Sequence, residues 1–228
     1  VPPEGYYQKV QAVLHRYGIM FWADEVITGF GRTGNDFGCT TMAIESPDMM
    51  TFAKQLSSAY MPISASAIRR EMYDAMIEQS ASAGAFGHGY TYSGHPVACA
   101  VALKTLEIYQ RDKIFEKAAV SGAYLQKRLA EFADHPLVGE VRGSGLIGAL
   151  ELVANKETGE PFVGGAVGGY AQKMAQDNGL LIRTVAGSCL GFCPPLIITN
   201  EQIDEMIEKV APALDATLDH CKKENLLR

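Results

Sequence analysis

Between residues 2 and 110, short apolar runs alternate with amphipathic stretches, and this alternation restricts the fold more than any single residue does. "IMFWADEV" (19–26), "PDMMTFAK" (47–54) and "ISASAIR" (63–69) are too short for core helices and read as strands, the first of them buried. "PPEGYYQKVQAVLHRYG" (2–18) has prolines at its start, apolar residues at helical spacing and Gly18 as its stop, so it reads as a helix. "REMYDAMIEQ" (70–79) and "HPVACAVALKTLEIYQ" (95–110) read the same way. Strands alternating with helices predict an α/β fold with a mostly parallel sheet. Two loops interrupt the pattern: a Gly/Asn/Asp/Thr stretch at 29–41 and the Gly/Ser-rich "SASAGAFGHGYTYSG" at 80–94. A loop that long in a compact domain is functional or disordered.

From about residue 113 the pattern changes. A long helix (113–133) precedes strands at 138–152, a helix near 166–178, strands at 180–185 and 190–198, and a last helix near 200–222. The expected organisation is therefore an α/β domain over 1–112 and a smaller α+β domain over 113–228. A chain of 228 residues with 47% hydrophobic residues has enough apolar mass for both. Net charge is −6 with no Lys/Arg stripe, which argues against nucleic-acid and anionic-membrane partners. The five cysteines are odd in number and scattered, the usage of reduced thiols, so a cytoplasmic location is expected. No run approaches the roughly 20 apolar residues of a membrane span, and no signal peptide is visible.

The stretch "ADEVITGFGRTG" (23–34) sets two carboxylates, Asp24 and Glu25, at the end of an apolar run. Side chains alternate along a strand, so Asp24 and Val26 share one face and Glu25 takes the other. Open α/β sheets bind ligands beyond the carboxyl ends of their strands, where Asp24 sits. The plain alternative is an aspartate that caps the amides of its own loop. Gly29, Gly31 and Gly34 also satisfy G-x-G-x-x-G, and Asp48 follows Gly29 by 19 positions. A dinucleotide site needs a helix to begin inside that motif. "GNDFGCTT" is turn chemistry instead, so these glycines are expected to serve the loop's own backbone.

Lys54 ends the apolar run "PDMMTFAK", 30 positions after Asp24 and on the next strand. Lysine is almost never fully buried without a role, and desolvation makes its amine a usable nucleophile. Alone, Lys54 could simply turn outward to solvent. Together, the pair matches the needs of pyridoxal 5'-phosphate: a lysine for its aldehyde and a carboxylate opposite its ring nitrogen.

"ADEVITGFGRTG", "PDMMTFAKQLSSAYMPISA", "FGHGYTYSGHPVACA", "VRGSGLIGALEL" and "FCPPLIIT" occur in the order found in class III aminotransferases, and the sequence resembles that family of fold type I enzymes from end to end. The resemblance implies a pyridoxal 5'-phosphate enzyme with Lys54 as Schiff-base lysine and proton shuttle. It implies Asp24 as partner of the pyridinium nitrogen and Val26 against one face of the ring. It implies that Thr91 in "GYTYSGHP" binds the cofactor phosphate of a neighbouring subunit, hence a homodimer. Arg183 in "LLIRTVAG" is implied as a mobile arginine for the substrate carboxylate; otherwise it is a strand-end arginine in solvent or in a salt bridge.

No His or Cys spacing supports a metal site. Class III chains are about twice this length, so the sequence reads as a C-terminal half, either a fragment or one part of a split subunit. The activity implied is transfer of an amino group from an amine or ω-amino acid to a keto acid, with pyruvate as the expected acceptor. The alternatives are a 2-oxoglutarate-dependent ornithine, GABA or diamine aminotransferase, an aminomutase of the same family, or a non-catalytic half-chain acting as an interaction piece.

Overall fold

A computed structural model describes all 228 residues. They divide into two compact units, Pro2–Phe115 and Glu116–Arg228.

The first unit opens with α1 (Tyr6–Tyr17), which ends at Gly18 with φ 60°. The Gly18 amide reaches His15 O and the Ile19 amide reaches Leu14 O, so the left-handed glycine closes the helix by satisfying two of its last carbonyls. Then follow β1 (Trp22–Asp24), the single helical turn α2 (Gly38–Thr41), β2 (Met49–Phe52), β3 (Ala65–Ile68), α3 (Arg70–Ala83) and α4 (Pro96–Arg111). Pro96 stands in the first turn of α4, where a missing N–H costs nothing.

The three strands form one sheet in the order β1-β2-β3. β1 and β2 are parallel, with Asp24 opposite Thr51; β2 and β3 are antiparallel, with Phe52 opposite Ala65. The sheet is thus mixed rather than mostly parallel. The chain turns back over residues 53–64 without the helical crossover a parallel neighbour needs.

The run at 19–26 supplies only a three-residue strand, and it is not buried: Met20 and Trp22 are 62% and 57% exposed. A continuous apolar run describes a strand covered on both faces, and within this unit only Ala23 of β1 is buried. At the opposite end of the sheet from Asp24, the Asp48 carboxylate accepts from the Phe21 amide (2.7 Å) and from Arg69 (2.7 Å), tying β1 to the end of β3. These contacts hold its carboxyl below the usual range. The Gly/Ser segment is shorter than 80–94, because α3 runs on to Ala83.

The second unit begins with most of α5 (Ile114–Ala130). It continues with β4 (Val138–Ser144), β5 (Ile147–Asn155), β6 (Glu160–Pro161), α6 (Ala166–Asp177), β7 (Arg183–Val185), β8 (Cys189–Phe192) and α7 (Asn200–Lys223). Its main sheet is antiparallel throughout, in the order β4-β5-β8-β7. The strand expected over 190–198 stops at Phe192, because Pro194 and Pro195 have no amide to give a ladder. Gly148, Leu150 and Leu152 face the core from β5, where Leu125, Leu129, Leu190, Ile203 and Leu214 are fully buried. Burying each leucine contributes about 1.5–3 kcal/mol. α7 starts with a capping box, the Thr199 hydroxyl accepting from Gln202 N while Gln202 Oε1 accepts from Thr199 N. No helix of either unit is long and apolar enough to cross a membrane.

Candidate active site

Because β1 and β2 are parallel neighbours, their C-terminal ends lie side by side, about 4.8 Å apart. Asp24 is the last residue of β1. Lys54 stands two positions past β2, at the start of a 3-10 turn over Lys54–Leu56. The sheet therefore brings a carboxylate and an amine to one edge, beyond the carboxyl ends of its strands. Asp24 Oδ1 accepts from the Val26 amide at 3.0 Å, the loop-capping contact of an Asx turn, and Oδ2 makes no hydrogen bond. Val26 is half-buried beside it. The Lys54 ammonium is exposed and has neither an ion pair nor a hydrogen bond. Its backbone is strained, with φ +40° on a residue that has a Cβ. Such strain persists where surrounding structure imposes it and gathers at functional sites.

Glu25 is the carboxylate whose role is not legible in the sequence. It is 2% exposed. Its Oε2 accepts from Gly38 N (2.8 Å) and Thr28 Oγ1 (2.5 Å), and its Oε1 accepts from Cys39 N (2.6 Å). A buried charge is tolerated when its lone pairs are satisfied in this way. Glu25 closes the 26–37 loop back onto the end of β1, so the glycine-rich stretch is a clasp around a carboxylate. The loop contains no helix before Gly38, and the four-residue α2 is not the long helix a dinucleotide site requires. Gly31, at φ 89°, is needed twice over: a Cβ there would also lie 2.4 Å from the Phe115 ring. Gly29 has ordinary φ, and its need for glycine is the close approach of Glu25 O, 2.8 Å from where a Cβ would stand. Burial and the neighbouring Glu25 push the Cys39 thiol up to about 12.

Thr91 lies in the turn 91–94 between α3 and α4, exposed, with Tyr90 and Tyr92 beside it 77% and 80% exposed. Arg183 belongs to the second unit. It opens β7 opposite Gly191, is exposed, and its guanidinium has no partner there. Strand register puts Arg183, Gly191, Ala149 and Arg142 in one row on the sheet face away from the leucine core. On that face Arg142 is held by Glu140 (2.9 Å) and by Glu151, with Cys189 Sγ 3.5 Å away. Arg142 is thus a satisfied member of a charge cluster, while the Arg183 guanidinium is left available. A cavity of about 610 Å³ in the same unit opens between Leu180, Phe192, Pro195, Ile198 and Met206, and none of the candidate residues lines it.

Known proteins carry the same architecture. The description "Aminotransferase class-III" matches residues 1–214, and the chain belongs to that family. The putrescine–pyruvate aminotransferase of Pseudomonas aeruginosa is 47% identical over 218 residues, covering 95% of this chain and 46% of that protein. The chloroplastic gamma aminobutyrate transaminase 3 of Solanum lycopersicum is 46% identical over 217 residues, covering 95% of this chain and 41% of its own. Among solved structures, the omega transaminase of Pseudomonas jessenii in complex with PMP superposes with TM-score 0.93 at 46% identity, covering 96% of this chain and 48% of that one. The chain spans about half the length of the curated relatives it matches. Class III aminotransferases work with pyridoxal 5'-phosphate, and the residues at the sheet edge fit that group: a free amine for its aldehyde, and a carboxylate oxygen without a partner for its ring nitrogen.

Proposed function

We propose that this chain carries the catalytic lysine, the cofactor carboxylate and the substrate arginine of a transaminase that moves an amino group from an amine or ω-amino acid to a keto acid. The observation that supports the reading is the placing of Asp24 at the end of β1 and of Lys54 two positions past the end of its parallel neighbour β2. Pyridoxal 5'-phosphate, when bound, supplies an aldehyde for the amine and a ring that accepts electrons from the substrate carbon. Lys54 would hold the cofactor through its amine, and the same amine, when free, would serve as the base that takes a proton from the substrate carbon and the acid that gives it to the cofactor's former aldehyde carbon. Asp24 keeps the ring nitrogen protonated through its free oxygen. Val26 gives the ring an apolar face.

Thr91, on an exposed turn, donates its hydroxyl to the phosphate of a neighbouring subunit's cofactor, which makes the working assembly a homodimer. Arg183 binds the substrate carboxylate in a bidentate pair and turns aside for an amine that lacks one. The division of labour is a cofactor domain over 1–112 and a small domain over 113–228, in a cytoplasmic enzyme. Pyruvate is the acceptor in this reading. It draws support from the name of the Pseudomonas aeruginosa relative, whereas a Halomonas elongata relative, 40% identical, is named for 2-oxoglutarate.

The test is Lys54→Ala in the PLP-loaded protein, assayed with putrescine and β-alanine against pyruvate and 2-oxoglutarate. Loss of turnover together with loss of the borohydride-sensitive absorbance band is expected. A variant that keeps near wild-type kcat would remove the assignment. Faster turnover with 2-oxoglutarate than with pyruvate would overturn the acceptor alone.

A further inference from the structure

The segment that follows β2 is unusually strained. Lys54, Ser58 and Ala59 all have positive φ (40°, 49° and 63°), and none is glycine. Ala53, just before them, sits at φ −157°, ψ −144°, outside the ordinary strand region. A backbone like this relaxes unless something outside it fixes its peptides. Local bonds do part of the work: Leu56 N reaches Ala53 O at 2.8 Å and Ser57 N reaches Lys54 O at 3.3 Å. One further bond comes from 54 positions away. The Tyr109 hydroxyl, on α4, donates to the backbone carbonyl of Gln55 at 2.8 Å, with Gln55 Oε1 at 3.2 Å. Tyr109 is itself 7% exposed, and its ring is braced by Phe115 at 5.3 Å between centroids. The donor is therefore rigid, and the carbonyl it holds belongs to the residue next to Lys54.

We infer that Tyr109 is a positioning residue for Lys54: its hydroxyl fixes the Gln55 carbonyl and so holds the Lys54 backbone in the left-handed conformation that aims the amine at the end of the sheet. The inference rests on the reading of Lys54 given above. It requires that the hydroxyl, and not merely the ring, matter to proton transfer, because the ring packs equally well as phenylalanine.

The experiment is Tyr109→Phe in the PLP-loaded protein, beside Gln55→Ala, which removes the side chain but leaves the carbonyl that Tyr109 holds. Tyr109→Phe is expected to lower kcat about tenfold, the worth of one buried hydrogen bond on a reacting geometry, with KM for the amine changed less than about twofold. The pH titration of the bound cofactor's absorbance should shift, since the direction of the Lys54 amine has changed. Gln55→Ala should stay within about twofold of wild type. A Tyr109→Phe protein with unchanged kcat and an unmoved titration overturns the inference, whatever its melting temperature.

If that variant does not fold, hydrogen exchange in the unmodified protein decides. Slow exchange of the Leu56 and Ser57 amides supports a held turn, and exchange as fast as in the 84–95 segment overturns it. Should Lys54→Ala retain activity, the reading of the site fails. Should Lys54→Ala be dead and Tyr109→Phe fully active, only the role of Tyr109 fails.

Discussion

The Glu25 carboxylate meets the Cys39 amide at 2.6 Å across 14 positions of sequence, and that contact closes the loop that begins at the end of β1. Three donors satisfy one buried carboxylate, so exchanging it for an amide is not neutral. In Glu25→Gln the Oε1 atom can serve only one side, and the NH₂ group faces a donor on the other. Leaving a buried donor unpaired costs about 1–3 kcal/mol. The expected result is a lower urea midpoint and a Cys39 thiol that disulfide reagents reach. An unaltered midpoint would show that water replaces the carboxylate at no cost.

The cysteines supply a prediction with a pH sign. Burial raises the Cys39, Cys189 and Cys221 thiols, Cys39 to about 12 from 9.0. A folded-state pKa raised above the unfolded one means that the folded state holds its proton more tightly. The stability linked to Cys39 is therefore fully present below pH 9 and is lost as pH rises through about 12. At pH 8, alkylation mapped by mass spectrometry should label exposed Cys193 first and leave Cys39, Cys189 and Cys221 unlabelled until the protein unfolds. Rapid labelling of Cys39 would contradict the closed loop.

Asp24→Asn keeps the shape and the Val26 contact and removes the charge. If the free oxygen serves the ring nitrogen, kcat falls by at least about 10²-fold, the lower range for positioned electrostatic groups. If the rate is unchanged, Asp24 is only the cap that its contact with the Val26 amide already makes it.

Much of this was legible in the sequence because it follows from local chemistry. Gly18 marks the end of α1 directly. Asp24 and Lys54 stand out because charges end apolar runs. What was not legible depends on contacts distant in sequence. Glu25 is identified as the buried carboxylate only by amides at 38 and 39, and Tyr109 as a donor only by a carbonyl at 55. The run 19–26 misled for the complementary reason: its apolarity fits a two-sided burial that this unit does not supply. The second-unit arginines show both limits at once. The resemblance singles out Arg183 and says nothing of what Arg142 touches, and only the folded sheet shows Glu140 and Glu151 against Arg142 and no ion pair at Arg183.

Arg183→Ala separates two roles. As a reader of the substrate carboxylate it contributes roughly 1.5–3 kcal/mol to keto acids and amino acids, so their kcat/KM should fall about 10–100-fold while simple amines barely change. Stopped-flow measurement of the two half-reactions distinguishes the cases. Equal damage to both would mean that Arg183 only supports β7.

Two glycines of the second unit give opposed stability predictions from one physical rule. Alanine in place of glycine inside a helix gains up to about 1 kcal/mol of intrinsic propensity. At Gly169 on α6 nothing lies within 4 Å of where a Cβ would stand, so Gly169→Ala should keep that gain and raise Tm by about 2–4 °C. At Gly122 on α5 the same Cβ would lie 2.7 Å from the Gly145 carbonyl carbon and 2.8 Å from its Cα. Those are backbone atoms of the turn between β4 and β5, and no side-chain rotation relieves the clash. Overpacking of this kind costs about 1–3 kcal/mol and outweighs the propensity gain. Gly122→Ala should therefore lower Tm in calorimetry. A rise would show that the β4–β5 turn, although Gly145 holds it at φ 55°, yields to the helix without resistance.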